Sequence, residues 1–214
     1  MNGAIDVHHI KKISGVTSLF LFIITISIAF VIVFTPLYYY SAWSMDLPER
    51  LGMSMETLME NYHVLLKYLH FPWVQELKLP DFPSSESGLF HFWEVKRLFY
   101  LNYIILILSS AGSFIYIKAL KKNGRIWTLV KPFFTAALVP PVLLTFLAVS
   151  FDRMFVLFHE VFFNNDDWLF DPAKDPIIMA LPQEFFMYTF LLFFLLVEGF
   201  FIGGYLYSKR NAFK

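Results

Sequence analysis

Imidazole and carboxylate are the reactive groups this sequence offers, for it has six His and no Cys. Without Cys there is no disulfide framework, no thiolate metal site and no thioester intermediate. Two histidines stand apart. His91 is flanked by Phe90, Phe92 and Trp93, with Glu94 three residues on. His159 has Glu160 beside it and adjoins a stripe of Phe151, Phe155, Phe158 and Phe162 at helical spacing. One reading is a pair of interfacial histidines satisfied by backbone or water. Another is a metal site. His91-x-x-Glu94 on a helix sets both side chains on one face, and His159 would supply a third ligand.

Other polar residues read more plainly. His8 and His9 belong to the N-terminal tail, and His63 and His70 to a surface helix. Glu198 sits in an apolar run, where a charge is costly. It reads as a protonated or internally bonded Glu facing a bundle, against a proton or substrate site. Asp166, Asp167, Asp171 and Asp175 fall within ten residues. They lack EF-hand spacing and its closing Glu, so turns and N-caps are the expected roles. No G-x-S-x-G, H-E-x-x-H, Walker loop or G-x-G-x-x-G occurs. Gly203-Gly204 reads as close helix packing.

Positioning these residues falls to a membrane bundle. Hydrophobic residues make up 57% of the 214, charged residues 16%, and 27 are Phe. A soluble domain carries about 25% charged residues. The composition excludes a disordered chain, a nucleic-acid binder and an ordinary cytosolic enzyme. It points to an all-α membrane protein of one integral domain over residues 1–214. Four runs have the length to cross a bilayer, about 13–38, 98–120, 130–151 and 185–207. The first exceeds a signal-peptide core and lacks an A-x-A-like cleavage site. It ends near Pro36 and an aromatic cluster of Tyr38, Tyr39, Tyr40 and Trp43. Pro140 and Pro141 predict a kink in the third.

Charge orients the spans. The two tails and the short loop between spans two and three hold ten Lys and Arg against one acid, Asp6. The loops at about 39–97 and 152–184 hold seven basic residues against fifteen acids. The positive-inside rule puts both termini in the cytoplasm and both long loops outside. The loops form an extracytoplasmic cap, and any chemistry belongs to that side. In the first loop Ser54 or Thr57 can cap a helix, with Glu60 as a capping-box partner. Leu58, Tyr62, Leu65, Leu66 and Leu69 then give it an apolar face. Val74 to Leu79 alternates weakly and reads as a short β element. The connector 80–85 is turn-rich.

In these same segments the sequence resembles the bacterial lipoprotein intramolecular transacylases, four-span integral membrane proteins. The resemblance covers essentially the full chain in length, span order and loop sizes. Its most specific part is Phe158-His159-Glu160-Val161-Phe162-Phe163, then Trp168-Leu169-Phe170-Asp171-Pro172, Asp175-Pro176 and Leu181-Pro182-Gln183-Glu184-Phe185-Phe186. A second part is His91-Phe92-Trp93-Glu94-Val95-Lys96, where Glu94 stands in place of the family's Asp. Asn61-Tyr62 and Tyr68-Leu69 are similar, less specifically.

The resemblance implies an acyltransferase of the bacterial plasma membrane. Its partners are membrane lipid and a lipoprotein whose N-terminal Cys carries a diacylglyceryl thioether; no nucleic acid and no cofactor are implied. The enzyme moves the sn-2 acyl chain to the α-amino group of the same Cys, giving a lyso-form lipoprotein. The two essential histidines carry over to His91 and His159. His159 is the expected base and His91 the oxyanion donor or proton shuttle, an assignment the sequence does not fix. Trp168 and Asp171 would shape the cap, Asp175 would orient a His, and Glu94 joins them as a binding or orienting residue. Such chemistry suits the composition. Transfer within one molecule needs no carrier and no Cys nucleophile. Two rivals remain at this point. A metal-dependent membrane hydrolase would use His91, Glu94 and His159, and a four-span scaffold or transport subunit would use neither His.

Overall fold

The structure, a computed structural model, describes residues 2–212, with side chains from residue 9 onward. The side chains of Asp6 and His8, and Lys214, lie outside the described residues. The fold is all helical. Long helices α1 (Asn2–Val33), α5 (Glu86–Lys122), α7 (Val139–Phe162) and α9 (Gln183–Arg210) alternate with short α2 (Thr35–Ser44), α3 (Leu47–Leu51), α6 (Val130–Ala136) and α8 (Ile177–Ala180). Between them lies the amphipathic α4 (Met55–His70). Four apolar stretches suffice to cross a membrane: His9–Val33, Glu86–Lys122, Ile126–Phe162 and Gln183–Arg210.

Proline sets the helix breaks. Pro36 has no N–H for the Ile32 carbonyl, and its ring crowds that carbonyl. Accordingly α1 stops at Val33, short of the expected Tyr38, and α2 starts with Pro36 in its first turn. His70, at the end of α4, hydrogen-bonds the Ile32 backbone, and burial pushes its imidazole below the ordinary value. In the third span the break falls at Ala137–Leu138, with Pro140 and Pro141 in the first turn of α7. A second interruption comes at Ser150, whose φ of −152° and ψ of 58° are not helical.

The chain divides into two compact units. One comprises Met1–Val31, Asn102–Thr145 and Leu192–Lys214. It holds every Lys and Arg of the tails and the short loop. Its core gathers Leu19, Ile23, Leu129, Phe133, Val197 and Phe201. Small residues let its helices close up. A Cβ on Gly15 would lie 2.3 Å from the Tyr116 ring, and one on Gly204 would lie 2.6 Å from Phe133. Ile107, Leu108, Phe114 and Ile115 point outward, as lipid-facing side chains do.

The other unit comprises Ile32–Leu101 and Phe146–Leu191, with all fifteen acids of the two long loops. Ser54 caps α4 by accepting the Thr57 N–H at 3.0 Å, so Ser54 rather than Thr57 is the cap. Leu58, Tyr62, Leu65 and Leu69 are buried as the spacing predicts, and Tyr38 stacks on Tyr62 at 3.8 Å. The Tyr38 hydroxyl donates to the Ala180 carbonyl at 2.9 Å. The expected strand at 74–79 is a correction: no strand occurs among the described residues. Side chains hold that backbone instead. Lys96 Nζ donates to the Val74 carbonyl, and the buried Asn61 pairs both ways with Asp81.

Gly203 and Gly204 separate packing from propensity. Phe133 is buried and packs against Phe20 and Phe201. Gly204→Ala is expected to destabilise by about 1–3 kcal/mol through overpacking. Nothing approaches a Cβ on Gly203, so Gly203→Ala is expected to stabilise by about 0.5–1 kcal/mol through helix propensity. Thermal unfolding in detergent checks both, as a lower and a higher midpoint.

Candidate functional site

His91 lies near the start of α5, and his neighbours there are set by an N-terminal cap. Ser85 accepts the Gly88 N–H at 3.0 Å through its hydroxyl oxygen. The Ser85 N–H donates to Asp175 Oδ1 at 2.7 Å, and the Ser85 hydroxyl donates to Oδ2 at 2.6 Å. Asp175 is only 3% exposed, so both carboxylate oxygens exchange water for Ser85. The second long loop is thereby fastened to the first turn of α5. Gly88 leaves room for this contact: a Cβ there would lie 2.3 Å from Asp175 Oδ1.

His159 lies in the last turn of α7. The two imidazoles, far apart in sequence, meet with ring centroids 5.8 Å apart and planes inclined 36°. His91 is 7% exposed and His159 8%. An aromatic cage surrounds them. Phe163 contacts both rings, at 4.7 Å from His91 and 5.6 Å from His159. Phe170 stands edge-on to His91 at 5.5 Å, and Phe155 lies 4.3 Å from His159. Trp168 stacks on His159 at 4.5 Å with an interplanar angle of 24°.

The nitrogens differ in their partners. His159 Nδ1 lies 2.7 Å from the Phe155 carbonyl oxygen. A carbonyl only accepts, so Nδ1 carries the hydrogen, and in the neutral ring Nε2 holds the lone pair. That is the tautomer a general base requires. His91 Nδ1 is buried with no hydrogen-bond partner among the described residues. Such an atom is costly in the resting protein, and a substrate group is what could satisfy it.

The remaining expected residues bond to groups other than the imidazoles. Glu94 accepts from Asn165 Nδ2 through both oxygens, at 3.0 and 3.1 Å. Asp171 is exposed, accepts the Ala173 N–H at 3.0 Å and faces Lys174 at 3.8 Å. Asp175 bonds Ser85 rather than an imidazole. No group of three His, Asp or Glu able to hold a metal occurs among the described residues. The donor set His91, Glu94 and His159 therefore does not assemble, because Asn165 takes the Glu94 carboxylate. Asn165 and Ser85 escaped the sequence reading as site residues, and Phe163 and Phe170 entered it only within the family motifs, without a role of their own. Ser85 reads there as part of a turn-rich connector, and nothing in the spacing pairs Asn165 or Ser85 with carboxylates 71 and 90 positions away. Glu198 belongs to the other unit, with Oε2 buried and unpartnered among the described residues.

A family model described as lipoprotein intramolecular transacylase Lit matches residues 13–186. Among solved structures, the membrane integral lipoprotein intramolecular transacylase Lit from Bacillus cereus is similar to this chain. It has a TM-score of 0.91 and 28% identity, over 97% of this chain and 96% of that one. Two variants of that protein, one histidine replaced by Arg or by Ala, match at TM-scores of 0.83 and 0.84 and 28% identity. They cover 97% and 99% of this chain, and 92% and 97% of their own. No curated protein matches the chain.

The Ser85–Asp175 tie is open to direct test. Asp175→Ala leaves the half-buried Ser85 N–H and hydroxyl without their carboxylate and is expected to lower stability by about 1 kcal/mol. Gly88→Ala drives a methyl into Asp175 and is expected to act likewise. The two together should cost no more than the worse one alone, because they break the same contact. Thermal unfolding midpoints of the four proteins measure it.

Proposed function

The chain belongs to the lipoprotein intramolecular transacylase family, and from that premise we propose that His159 and His91 carry the transfer at the outer face of the membrane. The protein is a multi-pass membrane acyltransferase that acts on lipoproteins. The observation that carries the assignment of roles is the nitrogen pairing. His159 has its proton committed to the Phe155 carbonyl and its other nitrogen free, whereas His91 has an unpartnered buried nitrogen.

The reaction follows from those two states. The α-amine of the diacylglyceryl Cys attacks the sn-2 ester carbonyl of the same molecule. Nε2 of His159 accepts the amine proton as the C–N bond forms. The carbonyl oxygen gains negative charge and takes a hydrogen bond from His91. Collapse expels the glycerol oxygen, which recovers the proton from His159. One C–N bond replaces one C–O bond, and no net proton is gained or lost. Amine and ester arrive tethered, so the protein supplies orientation rather than encounter. The apolar cage excludes water that would otherwise hydrolyse the ester.

Two measurements test this reading. The protein is expressed with a model lipoprotein in cells lacking their own N-acylation, and the N-terminal lipopeptide is fragmented by tandem mass spectrometry. Fragmentation is needed because moving an acyl chain within one molecule leaves its mass unchanged. His159→Ala and His91→Ala are each expected to cut the N-acylated, mono-O-acylated product by roughly 10²–10⁴. Persistence of that product at the parent level in both variants would overturn the histidine assignment. For sidedness, the absence of native Cys allows single-cysteine labelling. Glu76→Cys should react with an impermeant maleimide in intact cells, and Asn123→Cys only after permeabilisation. The reverse pattern would place the site on the cytoplasmic face.

A further inference from the structure

Trp168 is stacked on the His159 ring, but Trp168 is not itself anchored by either long helix. It sits in the segment 163–176, between α7 and α8. What fixes that segment above the histidines is a short relay. Glu94 is one turn along α5 from His91. Its carboxylate accepts from Asn165 Nδ2 through both oxygens. The other end of the same amide, Asn165 Oδ1, accepts the Asp167 N–H at 3.0 Å. This is an Asx turn, and it sets the backbone direction immediately before Trp168. The Leu169 N–H then donates to the Asp166 carbonyl at 3.0 Å and closes the turn.

We propose that Asn165 is a positioning residue for the transfer: by joining Glu94, on the helix of His91, to the turn that carries Trp168, it holds the His159 ring opposite His91. Both ends of one amide are spent on this link, donor to one long helix and acceptor to the Trp168 turn. The His159 ring has a single hydrogen bond among the described residues, to the Phe155 carbonyl in the preceding turn. That bond fixes one ring nitrogen and leaves rotation about it to be limited by ring contacts. Phe155 and Phe163 limit it from α7 and the residue after it, the Trp168 face limits it by stacking, and Asn165 supplies the position of Trp168. Glu94 thereby acts on His159 through two intermediaries rather than by touching substrate.

The inference rests on the histidine assignment, so its test includes a control for that assignment. Full-length protein in detergent or nanodiscs is assayed with a synthetic diacylated lipopeptide, and the site of acylation is read by fragmentation. Asn165→Ala is expected to lower kcat about 10–100-fold, the scale of an ångström's misplacement, with KM changed less than about twofold. Glu94→Ala should match it, and the double variant should be no worse than either. Glu94→Gln keeps an amide oxygen for Asn165 and should retain kcat within about threefold. A purely structural role would instead lower the unfolding midpoint and the yield of folded protein while leaving kcat per folded molecule unchanged. Should Asn165→Ala not yield folded protein, Asn165→Asp removes the donor and sets a carboxylate against Glu94, and must lower kcat in the same way. Unchanged kcat in these variants beside an inactive His159→Ala overturns the inference alone. Full activity in His159→Ala overturns the histidine assignment beneath it.

Discussion

Two imidazoles buried side by side, with no hydrogen bond joining them, are the constraint on which the rest of this unit depends. A polar ring removed from water must find partners, and a pair that bonded to each other would be satisfied but inert. Here His159 takes a partner from its own helix and leaves one nitrogen free, while His91 leaves Nδ1 unpaired. Packing, not bonding, must then hold the rings. Phe155 and Trp168 pack on His159, Phe170 on His91 and Phe163 on both. Aromatic rings suit this because they are large, rigid and nearly free of competing hydrogen bonds.

Packing of that kind works only if the elements contributing the rings cannot drift. The long helices contribute His91 and His159, but Phe170 and Trp168 come from a connecting segment. Two carboxylates secure that segment to α5. Asp175 takes both donors of Ser85 at the start of the helix, and Glu94 takes Asn165 two turns later. One tie lies before His91 and one after it. The segment is thereby prevented from pivoting about a single point, and the cage keeps its shape. The acids of the second long loop thus divide into buried ties such as Asp175 and exposed turn formers such as Asp171.

Much of this was legible in the residues. Apolar run length predicts four spanning helices, and the fold has four stretches able to span. The Ser54 cap and the apolar face of α4 followed from spacing alone. His91 and His159 stood out by their aromatic flanks, and they meet. What was not legible depended on contacts across long sequence separations. Asn165 reads as a turn residue from its neighbours, and only the fold brings it to Glu94. Asp175 reads as a turn former and is instead a buried acceptor. The run 74–79 alternates as a strand does. Yet a strand needs a partner edge, and here the Val74 carbonyl is taken by the Lys96 side chain instead. The proline at position 36 was read as an end to a span, correctly in kind. Its further effect, a backbone carbonyl released to His70, required knowing where α4 returns.

The aromatic composition has a further consequence for the substrate. Beyond His159, α7 continues through Phe158, Phe155 and Phe151, and Phe186 and Phe190 of the facing α9 lie against them, 5.5 Å from Phe155 to Phe186 and 5.5 Å from Phe158 to Phe190. An aliphatic lining would relax into any void left between substrates, because Leu and Ile rotate readily among rotamers. Stacked and edge-on Phe rings have fewer ways to collapse. A wall of that kind keeps its contour whether or not an acyl chain lies along it. In the proposed reaction an ester whose chain follows that wall would lie at the depth of His159, and the tethered amine would have only a short arc to search. On that proposal catalysis rests on geometry, from two imidazoles in a chain without Cys.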